Sequence, residues 1–362
     1  MTVTYHSGRR IQGTQADFDG TPAVSGGWKE LGRTSNSSLP DVTSLADKRY
    51  LMFLNFQESN ASRPAPAIRV NGDLGTNYAR RGNAHDGVGD YTNTSQTRIM
   101  FGGQPQGDTT TVPYFTVGYI ANLAGKEKLA MCNNALSYQL GAGSSEPLER
   151  RDTVFKWANT SDAVDQLSIV NHLGSGSFNT NGELVVLGWD PDDTHTDNFW
   201  EELVSVENSG GSTNNFGTGS FTAKKYLWIQ AFVKNDGLVE PRIRVGTGGS
   251  IDTGSNIATR SSSNGGADGT ATSRDDMVVS ISGTSENHFI NMFMVNNASN
   301  EKLAIHHCVS VGTAGAGTAP QRREGVSKYS NTSAQVNTIE IEDNAVSAGI
   351  ANGTFIKVWG AD

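Results

Sequence analysis

Residues 48–56 read Lys48-Arg49-Tyr50-Leu51-Met52-Phe53-Leu54-Asn55-Phe56, and 176 residues later the chain reads Lys224-Lys225-Tyr226-Leu227-Trp228-Ile229-Gln230-Ala231-Phe232. Both are runs of aromatic and aliphatic side chains that suit a pleated sheet and are too short to cross a bilayer. Five further blocks recur in the same order. Trp28-Lys-Glu-Leu31 returns as Trp200-Glu-Glu-Leu203, and Pro66-Ala-Ile-Arg-Val70 as Pro241-Arg-Ile-Arg-Val245. Glu127-Lys-Leu-Ala130 returns unchanged as Glu301-Lys-Leu-Ala304. Lys156-Trp-Ala-Asn-Thr-Ser161 returns as Lys328-Tyr-Ser-Asn-Thr-Ser333, and Gly188-Trp-Asp190 as Gly360-Ala-Asp362. The offsets stay between 172 and 176 and widen to 182 only between Asp86-Gly87 and Asp268-Gly269. A period held through six blocks, with drift between them where loops tolerate it, is an internal duplication. The division is an N-terminal arm (1–27), a first repeat (28–190), a linker (191–199) and a second repeat (200–362).

Within each copy the periodicity is that of strands. Val164 to Val170 and Val336 to Ile341 alternate apolar and polar residues, while Phe115 to Ala121 and Phe289 to Val295 are near-continuous apolar runs. Turn pairs punctuate them at Asn71-Gly72, Asp86-Gly87, Asn181-Gly182, Asp236-Gly237, Asp268-Gly269 and Asn352-Gly353. About eight strands per copy and no amphipathic helix predict an all-β protein of two tandem antiparallel β-sandwich, jelly-roll-like domains.

Composition narrows the function. The net charge is −9 and the sequence pI about 5.3, and the pairs Arg80-Arg81, Arg150-Arg151 and Arg322-Arg323 stand apart. No basic patch for a phosphate backbone is expected, so nucleic acid is not an expected partner. No run approaches the roughly 18 apolar residues of a membrane span, and Met1 to Gly20 lacks the apolar segment of a signal peptide. A membrane is therefore not expected as a partner. Cys132 and Cys308, one per copy, read as buried free thiols rather than a disulfide framework.

Chemistry-bearing motifs are sparse. The sequence contains no G-x-S-x-G, P-loop, G-x-G-x-x-G, H-E-x-x-H or C-x-x-C, and no enzymatic activity is expected. His306-His307-Cys308 places His306 and Cys308 on one strand face, where zinc would need two further ligands. At the domain junction Asp192, Asp193 and Asp197 form the one candidate metal site, for Ca²⁺ held with backbone oxygens. No other cofactor is expected. Asn-x-Ser/Thr triplets begin at Asn36, Asn60, Asn93, Asn159, Asn297, Asn331 and Asn352. The aligned pair Asn159 and Asn331 reads as a capped turn. Trp28, Trp157, Trp189, Trp200, Trp228 and Trp359 read as sandwich core, with stacking on sugar rings as the competing use.

Several blocks resemble virion structural proteins of marine tailed phages and viral metagenomes: Trp28-Lys-Glu-Leu-Gly-Arg-Thr34 leading to Lys48-Arg-Tyr-Leu-Met-Phe53, Arg69-Val-Asn-Gly-Asp73 with Gly75-Thr-Asn-Tyr78, and Gly176-Ser-Phe178 with Leu184-Val-Val-Leu-Gly188. In the second copy the Asn-Gly-Asp block reads as drifted to Gly246-Thr-Gly248. The resemblance implies a non-enzymatic virion or extracellular component: a capsid-surface decoration, fibre or tail appendage that self-assembles and meets other virion proteins. The alternatives are a double jelly-roll capsid shell subunit, or a carbohydrate-binding module or non-viral extracellular filament or sheath subunit. A host-surface glycan is a further expected partner. The arm, with Val3-Thr4-Tyr5, Ile11 and Phe18, is expected to reach a neighbouring copy in a homo-oligomer.

Overall fold

The computed structural model describes residues 27–60, 64–83, 90–103, 111–143, 148–173, 176–237, 239–280, 287–311, 316–345 and 348–362, together with the backbone of 3–6 and 9–12. Those last two segments are strands β1 (Val3–His6) and β2 (Arg9–Gln12), paired with each other. Phe18 and the Asp86-Gly87 turn lie outside the described residues.

The first repeat contains β3 (Lys29–Ser35), β4 (Asp41–Val42), β5 (Tyr50–Glu58), β6 (Pro66–Val70), β7 (Tyr78–Asn83), β8 (Tyr91–Gln96), β9 (Ile99–Met100), β10 (Pro113–Ala121), β11 (Lys128–Ser137), β12 (Leu148–Trp157), β13 (Leu167–Asn171) and β14 (Glu183–Trp189). The second contains β15 (Glu201–Glu207), β16 (Asn215–Gly217), β17 (Tyr226–Val233), β18 (Pro241–Thr247), β19 (Ser250–Ile251), β20 (Ile257–Ser263), β21 (Gly269–Arg274), β22 (His288–Val295), β23 (Lys302–Ser310), β24 (Gln321–Tyr329), β25 (Thr338–Asp343) and β26 (Phe355–Ala361). All regular structure among the described residues is antiparallel strand, so the all-β expectation holds. No helix there is long and apolar enough to cross a membrane.

Each repeat is a sandwich of unequal sheets. An eight-stranded sheet, ordered β3-β14-β5-β10-β11-β12-β7-β8, covers a four-stranded one, β4-β13-β6-β9. The second repeat copies the large sheet as β15-β26-β17-β22-β23-β24-β20-β21, over β16-β25-β18-β19, where β19 is a hairpin partner of β18 and an Ile243–Met277 bridge holds the place of β9. The chain crosses between sheets at most connections, while β10-β11-β12 and β22-β23-β24 run as meanders. The final strand of each repeat inserts between the first and third.

Twelve strands per repeat exceed the expected eight or so, for two physical reasons. Two-residue strands such as β4, β9 and β19 are too short to show a period. The edge strands β8 and β21 have no buried face to write an alternation. The Asn-Gly-Asp assignment also needs correction. The counterpart of Asp73 is Asp252, displaced by the β18–β19 hairpin, and not Gly246–Gly248. Asp73 accepts from Gly75 N (2.7 Å), Asn77 Nδ2 (2.9 Å) and Trp157 Nε1 (2.7 Å). Asp252 accepts from Gly254 N (2.8 Å), Asn256 Nδ2 (2.9 Å) and the Tyr329 hydroxyl (2.8 Å). Burial opposes ionisation of both carboxyls, but these hydrogen bonds outweigh it and hold both below the usual carboxylate range.

Inward-facing side chains fill each sandwich, among them Leu51, Phe53, Ile68, Phe101 and Trp157 in the first repeat and Leu227, Ile229, Ile243, Met292 and Tyr329 in the second. Packing is matched across strands. Cys132 faces Thr153, but its counterpart His306 faces Gly325, where an added Cβ would lie 2.3 Å from the imidazole. The larger ring thus requires the missing side chain.

The second faces of the long strands are covered in part, because the two eight-stranded sheets pack against each other. A third core joins Met52, Leu54, Phe56, Phe115, Val117 and Ala135 of the first repeat to Tyr226, Phe293, Val295, Leu303, Ile305 and Val326 of the second. The Phe115 and Tyr226 rings stack at 6.3 Å. The molecule is therefore four layers deep, small sheet outermost on both sides. Cover on both faces suits the β5 run, which is buried from Leu51 onward, whereas on β17 the outward Trp228 and Gln230 are half-buried and Phe232 is exposed although the run reads much the same.

Candidate functional site: the open face of the first repeat

Along β11 the outward side chains are Leu129, Met131, Asn133, Ala135 and Ser137, by the alternation of a strand. Ala135 and Ser137 are covered by the second repeat, whereas Leu129 and Met131 are exposed. Cover therefore ends partway along the strand, and the uncovered part is a hollow of about 780 Å³. Leu129 and Met131 of β11 and Val154 of β12 form its floor; Trp28, Tyr50, Tyr119 and Trp189 form its aromatic flank. Tyr50 stacks on Trp189 at 5.4 Å and Trp28 tilts against Tyr119 at 6.3 Å. Burial pushes the Tyr119 phenol upward, so it stays a neutral, ring-presenting group. Lys156 marks the margin, paired with Glu127 at 2.9 Å. The lining carries no carboxylate, thiol, imidazole, side-chain amide or aliphatic hydroxyl.

The matching place on the second repeat is buried, and it shows what such a surface does when occupied. Glu301 and Lys328, counterparts of Glu127 and Lys156, lie 3.8 Å apart at the junction with almost no exposure. The Glu301 carboxylate accepts from Ser137 Oγ (3.1 Å) and from the backbone N–H of Gly141. The Lys328 ammonium donates to Ser137 Oγ (3.2 Å) and to the Gln139 carbonyl. Burial pushes Glu301 up and Lys328 down, and the attraction between them opposes both shifts. Arg150 of the first repeat meets Asp268 (3.0 Å) and Glu324 (3.5 Å) of the second. Glu183 of the first accepts from Lys225 (2.8 Å) and the Tyr226 hydroxyl (2.7 Å) of the second.

The other candidate residues fall elsewhere. At the junction loop Asp193 accepts from Lys48 and from Asp190 N (2.7 Å), Asp197 pairs with Lys29 (2.9 Å), and Asp192 is exposed. The hydrogen bonds from Lys48 and the Asp190 backbone hold Asp193 below its ordinary value against the effect of burial. Asp193 and Asp197 are each engaged by a lysine, Lys48 and Lys29. Among the described residues no group of three or more His, Cys, Asp or Glu could hold a metal ion.

His306 and Cys308 both face the second sandwich interior, where His306 Nε2 lies 3.1 Å from Ser327 Oγ and Cys308 Sγ 3.9 Å from His288 Nδ1. Both cysteines are free and buried, and burial pushes each thiol up to about 12. Asn159 Oδ1 caps a turn through Ser161 N (2.8 Å) and Asp162 N (2.9 Å), and Asn331 repeats it with Ser333 N (2.9 Å) and Ala334 N (3.1 Å). Trp157 is core as expected, while Trp28, Trp200 and Trp228 pack against the core between the repeats. The open face itself went unread in the sequence, although Leu129-Ala-Met-Cys132 carries its signal: apolar residues at successive positions, hence on both faces of one strand.

No known protein-family model matches the chain, and no curated protein matches its sequence. Among solved structures, domains LG4-5 of the mouse laminin alpha1 chain align over 93% of this chain and 89% of theirs, at 11% identity and a TM-score of 0.18. Ail, the attachment invasion locus protein of Yersinia pestis, aligns over 78% of this chain and 98% of its own at 4% identity and a TM-score of 0.13. The outer membrane protein OprG from Pseudomonas aeruginosa aligns over 87% and 98% at 6% identity and a TM-score of 0.11. TM-scores this low carry no argument about fold or function.

Proposed function

We propose that this protein is a non-enzymatic structural subunit of a virion or other extracellular assembly, of the capsid-decoration, fibre or tail-appendage kind, acting through protein–protein contact. The observation that carries this reading is the open face of the first repeat. It is a broad shelf built on Leu129, Met131, Val154, Tyr50 and Trp28, with a lining that is mainly aliphatic and aromatic. Contiguous apolar surface on a folded chain marks an interaction site. The sequence blocks that resemble virion structural proteins point the same way.

A glycan-binding reading draws on the stacked Tyr50–Trp189 pair, since aromatic faces can seat sugar rings. The polar groups of the shelf are Arg80, Arg81, Lys156 and two phenols, with no side-chain amide or carboxylate to accept from sugar hydroxyls, and its apolar floor favours protein as the occupant. Electron microscopy of the purified protein is the test, with a glycan array and a panel of glycan and ester substrates alongside. Regular assemblies are expected. Saturable glycan binding lost in Tyr50→Ala, or turnover abolished by a single carboxylate or serine substitution, overturns the proposal.

A further inference from the structure

The contact between the two repeats does not use the same patch on each. Strand pairing fixes the counterparts: Tyr50 with Tyr226, Phe56 with Phe232, Phe115 with Phe289, Met131 with Ile305, Ala135 with Val309, Val154 with Val326. The first repeat docks through Phe56, Phe115 and Ala135, at most 1% exposed. The second docks through the opposite end of its face, with Leu303, Ile305 and Val326 at most 3% exposed. Each repeat therefore leaves uncovered the patch that the other uses. On the first repeat Leu129, Met131 and Val154 are 53–59% exposed; on the second Phe232, Phe289 and Val309 are 41–42% exposed. An offset contact of this kind is heterologous, and a heterologous contact leaves one unsatisfied half at each end.

We infer that the molecule associates head to tail with further copies of itself by repeating its internal junction, the Phe289–Val309 end of one copy's second repeat docking on the Met131–Val154 shelf of the next copy's first repeat. This names the partner of the open face, and so rests on the structural reading above.

Charge follows the same register. Inside the chain Arg150 meets Asp268 and Glu324. The counterparts are Arg322, exposed on the second repeat, and Asp90 and Asp152 on the first: Asp268 and Asp90 precede the residues paired with Ser261 and Gly82, which corrects the sequence pairing of Asp268 with Asp86, and Glu324 and Asp152 are paired with His307 and Asn133. The open ends thus carry one guanidinium and two carboxylates at the counterpart positions, each paired for now within its own repeat: Arg322 with Glu324, Asp90 with Arg81 and Asp152 with Arg150. Glu127 and Lys156, the counterparts of the buried Glu301–Lys328 pair, stand exposed at the shelf margin.

Two differences make the external junction weaker than the internal one. The covered Leu54, Val117 and Val185 correspond to Gln230, Asn291 and Lys357 on the free patch, where both Trp228 and Gln230 donate to Asn291 Oδ1 at 2.8 and 3.1 Å. The Glu183 clasp has no equivalent, because its counterpart is Phe355. Association is accordingly reversible and concentration-dependent.

The test uses sedimentation velocity on the full chain and on two single variants of exposed residues, Met131→Arg, which blocks the shelf, and Phe289→Arg, which blocks the opposite end. Thermal melts that match the parent establish that both variants fold. The parent is expected to grow in average size with concentration. Each variant alone is expected to lose association by about thirtyfold, the effect of one interface hot spot. An equimolar mixture of the two variants is expected to form pairs and stop there, since only one compatible junction remains. A mixture that stays monomeric while the parent assembles overturns this junction and leaves the structural reading standing. Variants that assemble like the parent do the same. A parent that stays monomeric at every concentration and also forms nothing regular in the microscope removes both.

Discussion

Glu301 and Lys328 sit at one place in the second repeat, and Glu127 and Lys156 sit at the same place in the first. The residue types are identical, and the strands beneath them pair in the same register. Yet the first pair is sealed beneath the neighbouring repeat and bonded to its Ser137–Gly141 segment, while the second lies in solvent at 2.9 Å. Duplication has supplied one surface twice, and docking has used it once. What differs between the repeats is thus not the fold but which half of each face is occupied. An ion pair drawn from one ancestral position contributes very differently in the two places, since the buried pair must replace its lost hydration with bonds to the other repeat.

The largest expected effect comes from breaking the buried member of this comparison. Lys328→Met leaves the Glu301 carboxylate without its cation inside the junction, and is expected to cost about 3–5 kcal/mol in urea unfolding. Combining it with Glu301→Leu should recover most of that loss, because no isolated charge then remains. A double variant as unstable as the single one would show that the pair matters for shape rather than charge.

Next in size is the aromatic and acidic clasp. Tyr226→Phe removes one hydrogen bond to the buried Glu183 carboxylate and is expected to cost about 1–3 kcal/mol. Its counterpart Tyr50→Phe, on the open face, should be near neutral in the same measurement. Equal losses would contradict the unequal cover.

Acid should affect the two repeats alike where they are built alike. Asp73 and Asp252 are both held below their ordinary carboxylate range in the folded chain. Their contribution is full above the unfolded carboxylate value of about 3.9 and is lost as pH falls through the depressed folded values. Asp73→Asn and Asp252→Asn should each flatten the decline of stability below about pH 4. A variant that changed the neutral-pH melt but left the acid slope intact would show a packing role only.

The smallest expected effect is that of Glu127→Gln, under about 1 kcal/mol in dilute protein, as for an exposed ion pair. A larger loss at low concentration would mean that something in the chain already covers this edge.

Much of the fold was legible because the chain states it twice. Trp28 with Trp200 and Glu127-Lys-Leu-Ala130 with Glu301-Lys-Leu-Ala304 fixed the duplication. The turns capped by Asn159 and Asn331 could be read from side-chain chemistry alone. The strand inventory fell short where no pattern exists to read: β4 and β9 have two residues each, and β8 and β21 are polar on both faces. The Asp73 loop was placed wrongly in the second repeat because β19 lengthens the path to Asp252 without changing the loop itself. Residues 50–56 and 226–233 read as apolar runs with one amide each, Asn55 and Gln230, yet only the first is covered on both faces. Such runs do not say whether the second face is covered or by what, so Met131 and Phe289 could not be told from core residues without the register between repeats.

The insertion of β14 between β3 and β5, and of β26 between β15 and β17, has a consequence for biogenesis. As the chain leaves the ribosome, the strands on either side of this slot exist long before the strand that fills it. The central sheet of a repeat cannot close until its last seven residues of strand have emerged. During that interval two unpaired strand edges face each other across a gap, and the closing contacts span nearly the whole repeat in sequence, which makes closure slow. A nascent or truncated chain lacking β26 would display bare backbone donors and acceptors on β15 and β17, the kind of edge that captures strands from other chains. Messages cut short within either repeat should therefore yield insoluble product rather than a smaller folded domain.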